Sequence, residues 1–144
     1  MSDEPIVWIV AILEVITALG IAAYWATWFR LPHDEEWLPD GYIDHEAPFV
    51  YTDTLLAVVL VAAAILQVTD AGPGSAAALS TAPARPLGES LALFAAGMLA
   101  FLGILDLAYF ARTGMFEKAH EGLVNAGVVT GTLTMSVILL VRFL

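Results

Sequence analysis

Four long apolar runs dominate the sequence and restrict the folds open to it. They cover residues 6–29, 49–68, 90–111 and 122–143. A helix of about 20 apolar residues crosses the roughly 30 Å hydrocarbon core of a bilayer, and a segment in lipid must pair its own backbone groups. The runs lack the alternation of a membrane β-strand. The sequence therefore predicts an all-α integral membrane protein, a single transmembrane domain over 1–144, whose four helices form an up-and-down bundle.

The composition agrees with a membrane environment and argues against several classes of function. Hydrophobic residues make up 60% of the chain and charged residues 14%, whereas soluble domains average about 25% charged. Fifteen acidic residues against five basic ones give a net charge of −10, which argues against a nucleic-acid partner and against polybasic attachment to anionic lipid. The chain has no cysteine, so disulfides, thiolate metal sites and cysteine nucleophiles are excluded.

The connections between the runs define two sides of the predicted bundle. We call side A the side that carries both termini and the Gly-, Pro- and Ala-rich connection 69–89, which we expect to be a flexible loop. Side B carries the acidic, aromatic loop 30–48 and the short turn 112–121. The five basic residues divide two to three between the sides, so the positive-inside rule does not orient this multi-pass protein.

Polar residues of the predicted helices concentrate in the half of the bundle near side B. With a rise of about 1.5 Å per residue, Glu14 falls near mid-depth and the others lie closer to side B. Charged groups inside a membrane are costly and by default mark function. We interpret the group as a polar vestibule that opens to side B, with Glu14 as its floor. The predicted ligand-binding residues are Glu14, Trp25, Trp28, Asp53, Asp106, Tyr109, Glu121 and Asn125.

Several of these residues also have a structural interpretation, which the sequence leaves open. No Lys or Arg lies at the depth of Glu14, so its carboxyl group is either protonated or paired with a bound cation, and it could instead be an interhelical hydrogen-bonding group. Asp53 follows Thr52 at a helix start, where an acidic residue complements the helix dipole. The Trp and Tyr residues fit an aromatic belt at the membrane interface.

The sequence predicts no cofactor, no metal site and no catalytic residue. The phosphate-loop, dinucleotide, Gly-x-Ser-x-Gly and His-Glu-x-x-His signatures are all missing. The pairs His45-Glu46 and His120-Glu121 lack metal-ligand spacing, and the three histidines fall in loops or at a helix end, which argues against haem. The sequence does not decide whether the protein is an enzyme, although the missing signatures favour a non-enzyme.

Three functional hypotheses follow from this pattern. The first is binding or transport of a small cationic or amphiphilic ligand, with proton coupling through Glu14. The second is an accessory subunit of a larger membrane complex, and the third is an intramembrane lipid- or isoprenoid-modifying enzyme that uses carboxylates. Gly127 and Gly131 form a GxxxG motif, which indicates either a homo-oligomer through this helix face or close packing within one bundle.

Overall fold

The described part of the chain is built from helices. The computed structural model describes residues 4–30, 39–70 and 85–144, without the side chains of Asp70, Ala119, His120 and Glu121. The elements in chain order are α1 (Glu4–Trp28), α2 (Tyr42–Glu46), α3 (Phe49–Asp70), α4 (Leu87–Thr113), a 3₁₀ turn (Met115–Glu117) and α5 (Ala119–Phe143). By length and composition, α1, α3, α4 and α5 can each cross a bilayer. The predicted all-α, four-helix class of membrane protein is thereby confirmed.

The observed helices differ from the predicted ones mainly near side B and at the start of α4. Helix α4 begins at Leu87 rather than at residue 90, because Pro86 is compatible with the position before a helix and its carbonyl accepts from the Ser90 amide at 3.1 Å. Loop 30–48 contains α2, which sequence analysis did not predict. Gly41 precedes α2 with φ 76°, a left-handed conformation that glycine adopts without strain, and this turn starts the short helix.

Each long helix packs along the one that precedes it. Helix α1 lies along α3, α3 along α4, and α4 along α5, whereas α1 and α5 meet at few residues. The core between them holds Leu56, Leu60, Leu99 and Leu139, all fully buried. The four helices therefore form a bundle that is open along one side, where the first and last helices are separated by a gap that we call the α1–α5 seam.

The outer surface of the bundle is apolar. Large side chains such as Ile9, Leu19, Phe101 and Val141 are more than half exposed, and a continuous apolar exterior of this kind is typical of contact with lipid. Exposed hydroxyl groups such as those of Thr27 and Thr54 donate to backbone carbonyls of their own helix. The buried hydroxyl of Ser136 donates to the carbonyl of Ala96 at 2.8 Å, which joins α5 to α4.

One glycine sets the closest approach of α4 to α3. A Cβ at the buried Gly88 would lie 2.8 Å from the backbone nitrogen of Gln67 and 3.1 Å from Cβ of Leu66. Gly97, on the same helix, would place its Cβ with no other atom within 4 Å. The side-A end of α4 thus touches the α3 backbone, and only glycine leaves room for that contact.

We expect Gly88→Ala to destabilise the bundle by roughly 1–3 kcal/mol, the usual cost of overpacking. Gly97→Ala is the matched control and should be neutral or slightly stabilising, because alanine favours a helix by up to about 1 kcal/mol over glycine. The free energy of unfolding of both variants can be measured by titration with sodium dodecyl sulfate in mixed micelles, followed by circular dichroism. Equal stability of Gly88→Ala and the wild type would contradict the close approach.

Candidate functional site

A cavity of about 510 Å³ lies in the side-B half of the bundle. Helices α1 and α5 supply its two side walls, and α3 and α4 supply its back. Residues Gly20, Ile21 and Tyr24 of α1 face it at helical spacing, and Val128, Gly131 and Thr132 of α5 face it from the other side. Because α1 and α5 meet at few residues, the cavity lies along the α1–α5 seam.

Three carboxyl groups line this cavity. They belong to Glu46 at the end of α2, Asp53 near the start of α3 and Asp106 on α4, and none of the described lining residues is Lys or Arg. Asp106 lies close enough to Glu46 and Asp53 to interact electrostatically with both. Like charges in a partly buried site repel one another, so a cation or a proton stabilises this arrangement.

Two of the three carboxyl groups are held by aromatic side chains of α1. The Trp25 indole Nε1 donates to Oδ2 of Asp53 at 2.9 Å, and the Tyr24 hydroxyl donates to Oε2 of Glu46 at 3.3 Å. Asp106 has no hydrogen-bond partner in the described part of the chain. The cavity therefore contains two positioned carboxyl groups and one that is available to a ligand.

An aromatic cluster fixes the side-B end of α1. The buried Trp25 ring packs edge-on against Tyr24 and Trp28, with ring centroids 5.3 Å apart in both pairs. Edge-to-face pairs of this kind add about 0.5–1.5 kcal/mol beyond the burial of their area. The cluster thus holds the indole N–H in the orientation that reaches Asp53.

The structure brings together only part of the predicted site. Asp53, Asp106 and Asn125 line the cavity. Trp25 lies behind Asp53 as its hydrogen-bond donor, and Trp28 packs against Trp25. The buried amide nitrogen of Asn125 has no hydrogen-bond partner among the described residues, so a bound molecule with an acceptor group can use it.

The remaining predicted residues lie outside the cavity lining or outside the described set. Tyr109 stacks on His45 of α2, with centroids 3.7 Å apart and an interplanar angle of 10°. Glu14 is fully buried and contacts Gln67 of α3 rather than the cavity. The side chain of Glu121 is not among the described residues. In the described part of the chain, no three His, Asp or Glu residues are grouped as metal ligands would be.

Sequence analysis missed Glu46 and Gln67. Glu46 is buried because the turn at Gly41 starts α2, which folds the loop back towards the bundle. The signal for Gln67 was simpler, because it is a lone amide in the apolar run of α3 and is buried in the structure. Its partner could not be read from the sequence, since depth along a helix does not give the direction in which a side chain points.

Comparison with known proteins adds no functional assignment to this geometry. The sequence matches no protein-family model and no curated protein, and no solved structure matches the chain. Function is therefore inferred from the cavity and its carboxyl groups.

We expect Trp25→Phe to destabilise the protein by about 1–3 kcal/mol, because the partly buried carboxyl group of Asp53 loses its hydrogen-bond donor. Trp8→Phe is the matched control on the same helix, since Trp8 is 50% exposed whereas Trp25 is 6% exposed. The free energy of unfolding of both variants, measured by the detergent titration used for Gly88, checks this. A loss no larger for Trp25→Phe than for Trp8→Phe would contradict a stabilising role for the indole–carboxyl hydrogen bond.

Proposed function

We propose that the protein binds a small cationic, amphiphilic molecule in the cavity of the α1–α5 seam. The observation that carries this proposal is the set of Glu46, Asp53 and Asp106 around one cavity whose described lining has no basic residue. Opposite charges attract far more strongly in a low-dielectric interior than in water. A single cationic group placed near Asp106 would therefore relieve the repulsion among three acidic groups.

The size and lining of the cavity favour a molecule with an apolar body. Its volume of about 510 Å³ falls in the usual range for small-molecule sites, about 300–1,000 Å³. Most of the lining is apolar and includes Leu56, Leu99, Leu102 and Phe110. Such walls suit a hydrocarbon or aromatic portion, while the cationic end lies among the carboxyl groups.

The position of the seam supports entry from the bilayer. Val124 and Val128 line the cavity yet are 42% and 37% exposed. Gly20 and Gly131 leave the gap between α1 and α5 unfilled, because a Cβ at either position would meet no atom within 4 Å beyond its own helical neighbours. An amphiphile dissolved in lipid could thus reach the carboxyl groups sideways between the two helices.

Transport of this ligand with proton coupling is the further step of the proposal. Coupling requires a carboxyl group that releases a proton when the cation arrives and takes one up when it leaves. Asp106 fits this role better than Glu14, because Asp106 lines the cavity, interacts with both other carboxyl groups and has no hydrogen-bond partner among the described residues.

A second candidate is a subunit of a membrane complex, or a homo-oligomer. The observation that favours it is the unfilled space beside Gly127 and Gly131, where a Cβ would meet no atom within 4 Å beyond its own helical neighbours. The GxxxG motif is thus not used for packing within the described chain. A helix from another polypeptide could approach it closely and would then occupy the same seam as the ligand.

The binding proposal predicts that decyltrimethylammonium binds the protein in a neutral maltoside detergent, and that Asp106→Asn weakens the affinity about tenfold. A tenfold loss corresponds to about 1.4 kcal/mol, a reasonable cost for one of three carboxyl groups. Asp44→Asn is the matched control, because Asp44 is an exposed acidic residue of α2 outside the cavity lining. Isothermal titration calorimetry below the micelle-forming concentration of the probe gives the three affinities.

A cavity-filling variant separates ligand binding from subunit assembly. Gly131→Leu places a side chain in the cavity and should abolish binding of the probe, while native mass spectrometry still shows the same stoichiometry as the wild type. Equal affinities of Asp106→Asn and Asp44→Asn would refute the binding proposal. An oligomer that Gly131→Leu dissociates, with no probe binding to the wild type, would instead support the second candidate.

A further inference from the structure

A buried acidic residue that does not line the cavity lies deeper in the bundle. Glu14 of α1 is 0% exposed, and its partner Gln67 of α3 is 6% exposed. The Gln67 amide nitrogen donates to both carboxyl oxygens of Glu14, at 3.0 Å and 2.9 Å. Glu14 does not line the cavity, although Thr17, one turn further along α1, does. This pair is therefore separate from the proposed ligand site.

Among the described residues, no charged group compensates a negative charge on Glu14. Among the described residues, Gln67 is the only side chain that interacts with Glu14 electrostatically. The charged side chains described at the same end of the bundle are Glu4, Arg85, Glu89 and Arg142, and none of them interacts with Glu14. An ionised carboxylate without a cation in an apolar interior costs several kcal/mol, so the neutral acid is the stable form here.

The amide oxygen of Gln67 also indicates that Glu14 is protonated. Its oxygen Oε1 is buried without a hydrogen-bond partner among the described residues, and buried carbonyl oxygens are rarely left in that condition. The hydroxyl of Thr17, one turn from Glu14 on α1, donates to the carbonyl of Leu13 at 2.8 Å. A proton on Glu14 supplies the missing donor once the amide rotates about its last side-chain bond.

We propose that Glu14 and Gln67 form a proton-binding site in which Glu14 carries the proton at neutral pH. In the protonated pair, the carboxyl O–H donates to Gln67 Oε1, and the Gln67 amide N–H donates to the other carboxyl oxygen. Every polar side-chain atom of the pair except one amide hydrogen then has a partner, and no net charge is buried. The proton is thus the ligand that joins α1 to α3 at this depth.

A metal cation does not fit the same donors. A hard cation such as Ca²⁺ takes about 6–8 oxygen ligands, whereas this pair offers the two carboxyl oxygens and one amide oxygen. A proton needs only one donor and one acceptor oxygen.

Infrared spectroscopy of the protein in lipid tests this proposal directly. At pH 7 an exposed glutamate, with a usual pKa of about 4.3, is ionised and gives no band of a protonated carboxyl group. We expect the difference spectrum between wild type and Glu14→Gln to contain such a band. Because only Glu14 differs between the two proteins, this spectrum distinguishes its band from that of any protonated carboxyl group in the cavity. Glu4→Gln is the matched control, because Glu4 is exposed on the same helix, and it should remove no band.

A second variant keeps the test decisive if Glu14→Gln does not fold. In Gln67→Leu the carboxyl group of Glu14 loses its only described partner, so its band should move to higher frequency relative to wild type. If no protonated-carboxyl band at pH 7 changes in either variant, the proposal is overturned. Loss of the band on addition of NaCl at constant pH would overturn it in favour of a bound sodium ion.

Discussion

The contact between α1 and α3 determines whether this bundle has a cavity at all. Helix α1 packs along α3 and hardly touches α5, so the width of the α1–α5 seam depends on how α1 is held from one side. Two hydrogen-bonded pairs join α1 to α3 at different depths, Trp25 with Asp53 and Glu14 with Gln67. Hydrocarbon tails are as apolar as leucine side chains, so burial does not drive helices together in a membrane. These polar pairs and the close packing around them therefore fix the position of α1.

Glycine serves two opposite purposes in the structure. At Gly88 and Gly103 it allows close contact, since a Cβ at either position would come within 2.8 Å of a neighbouring helix. At Gly20, Gly127 and Gly131 it leaves space, because a Cβ there would meet nothing within 4 Å beyond its own helix. The second group lines the cavity. The cavity is thus produced by missing side chains on two facing helices.

Most of the fold could be predicted from the sequence, because the length of an apolar run is sufficient to identify a membrane-spanning helix. Depth also follows from chain position, so the sequence predicts Asp53 and Asp106 in the half of the bundle near side B, and both line the cavity. Rotation about the helix axis does not follow from hydropathy when nearly every side chain is apolar. For that reason the sequence predicts Glu14 at the floor of the vestibule, whereas in the structure its carboxyl group accepts a hydrogen bond from Gln67.

Glu46 shows a different limit of prediction. It reaches the cavity because Gly41 starts a short helix in a connection that has no apolar periodicity, and such a turn depends on tertiary contacts. The GxxxG motif of α5 was ambiguous for a related reason. A motif of small residues indicates that close approach is allowed, but the partner, if one exists, is set by the shape of the whole assembly.

The sequential order of helix packing has a consequence for biogenesis. Every large interface joins helices that are consecutive among the four spans, so each newly inserted helix finds its partner already in the membrane. Contacts between neighbours in sequence form quickly, because little chain entropy is lost in closing the connection. The last wall of the cavity is supplied by α5, which is synthesised after the other three spans. Ligand binding would therefore report that all four spans have been inserted and assembled.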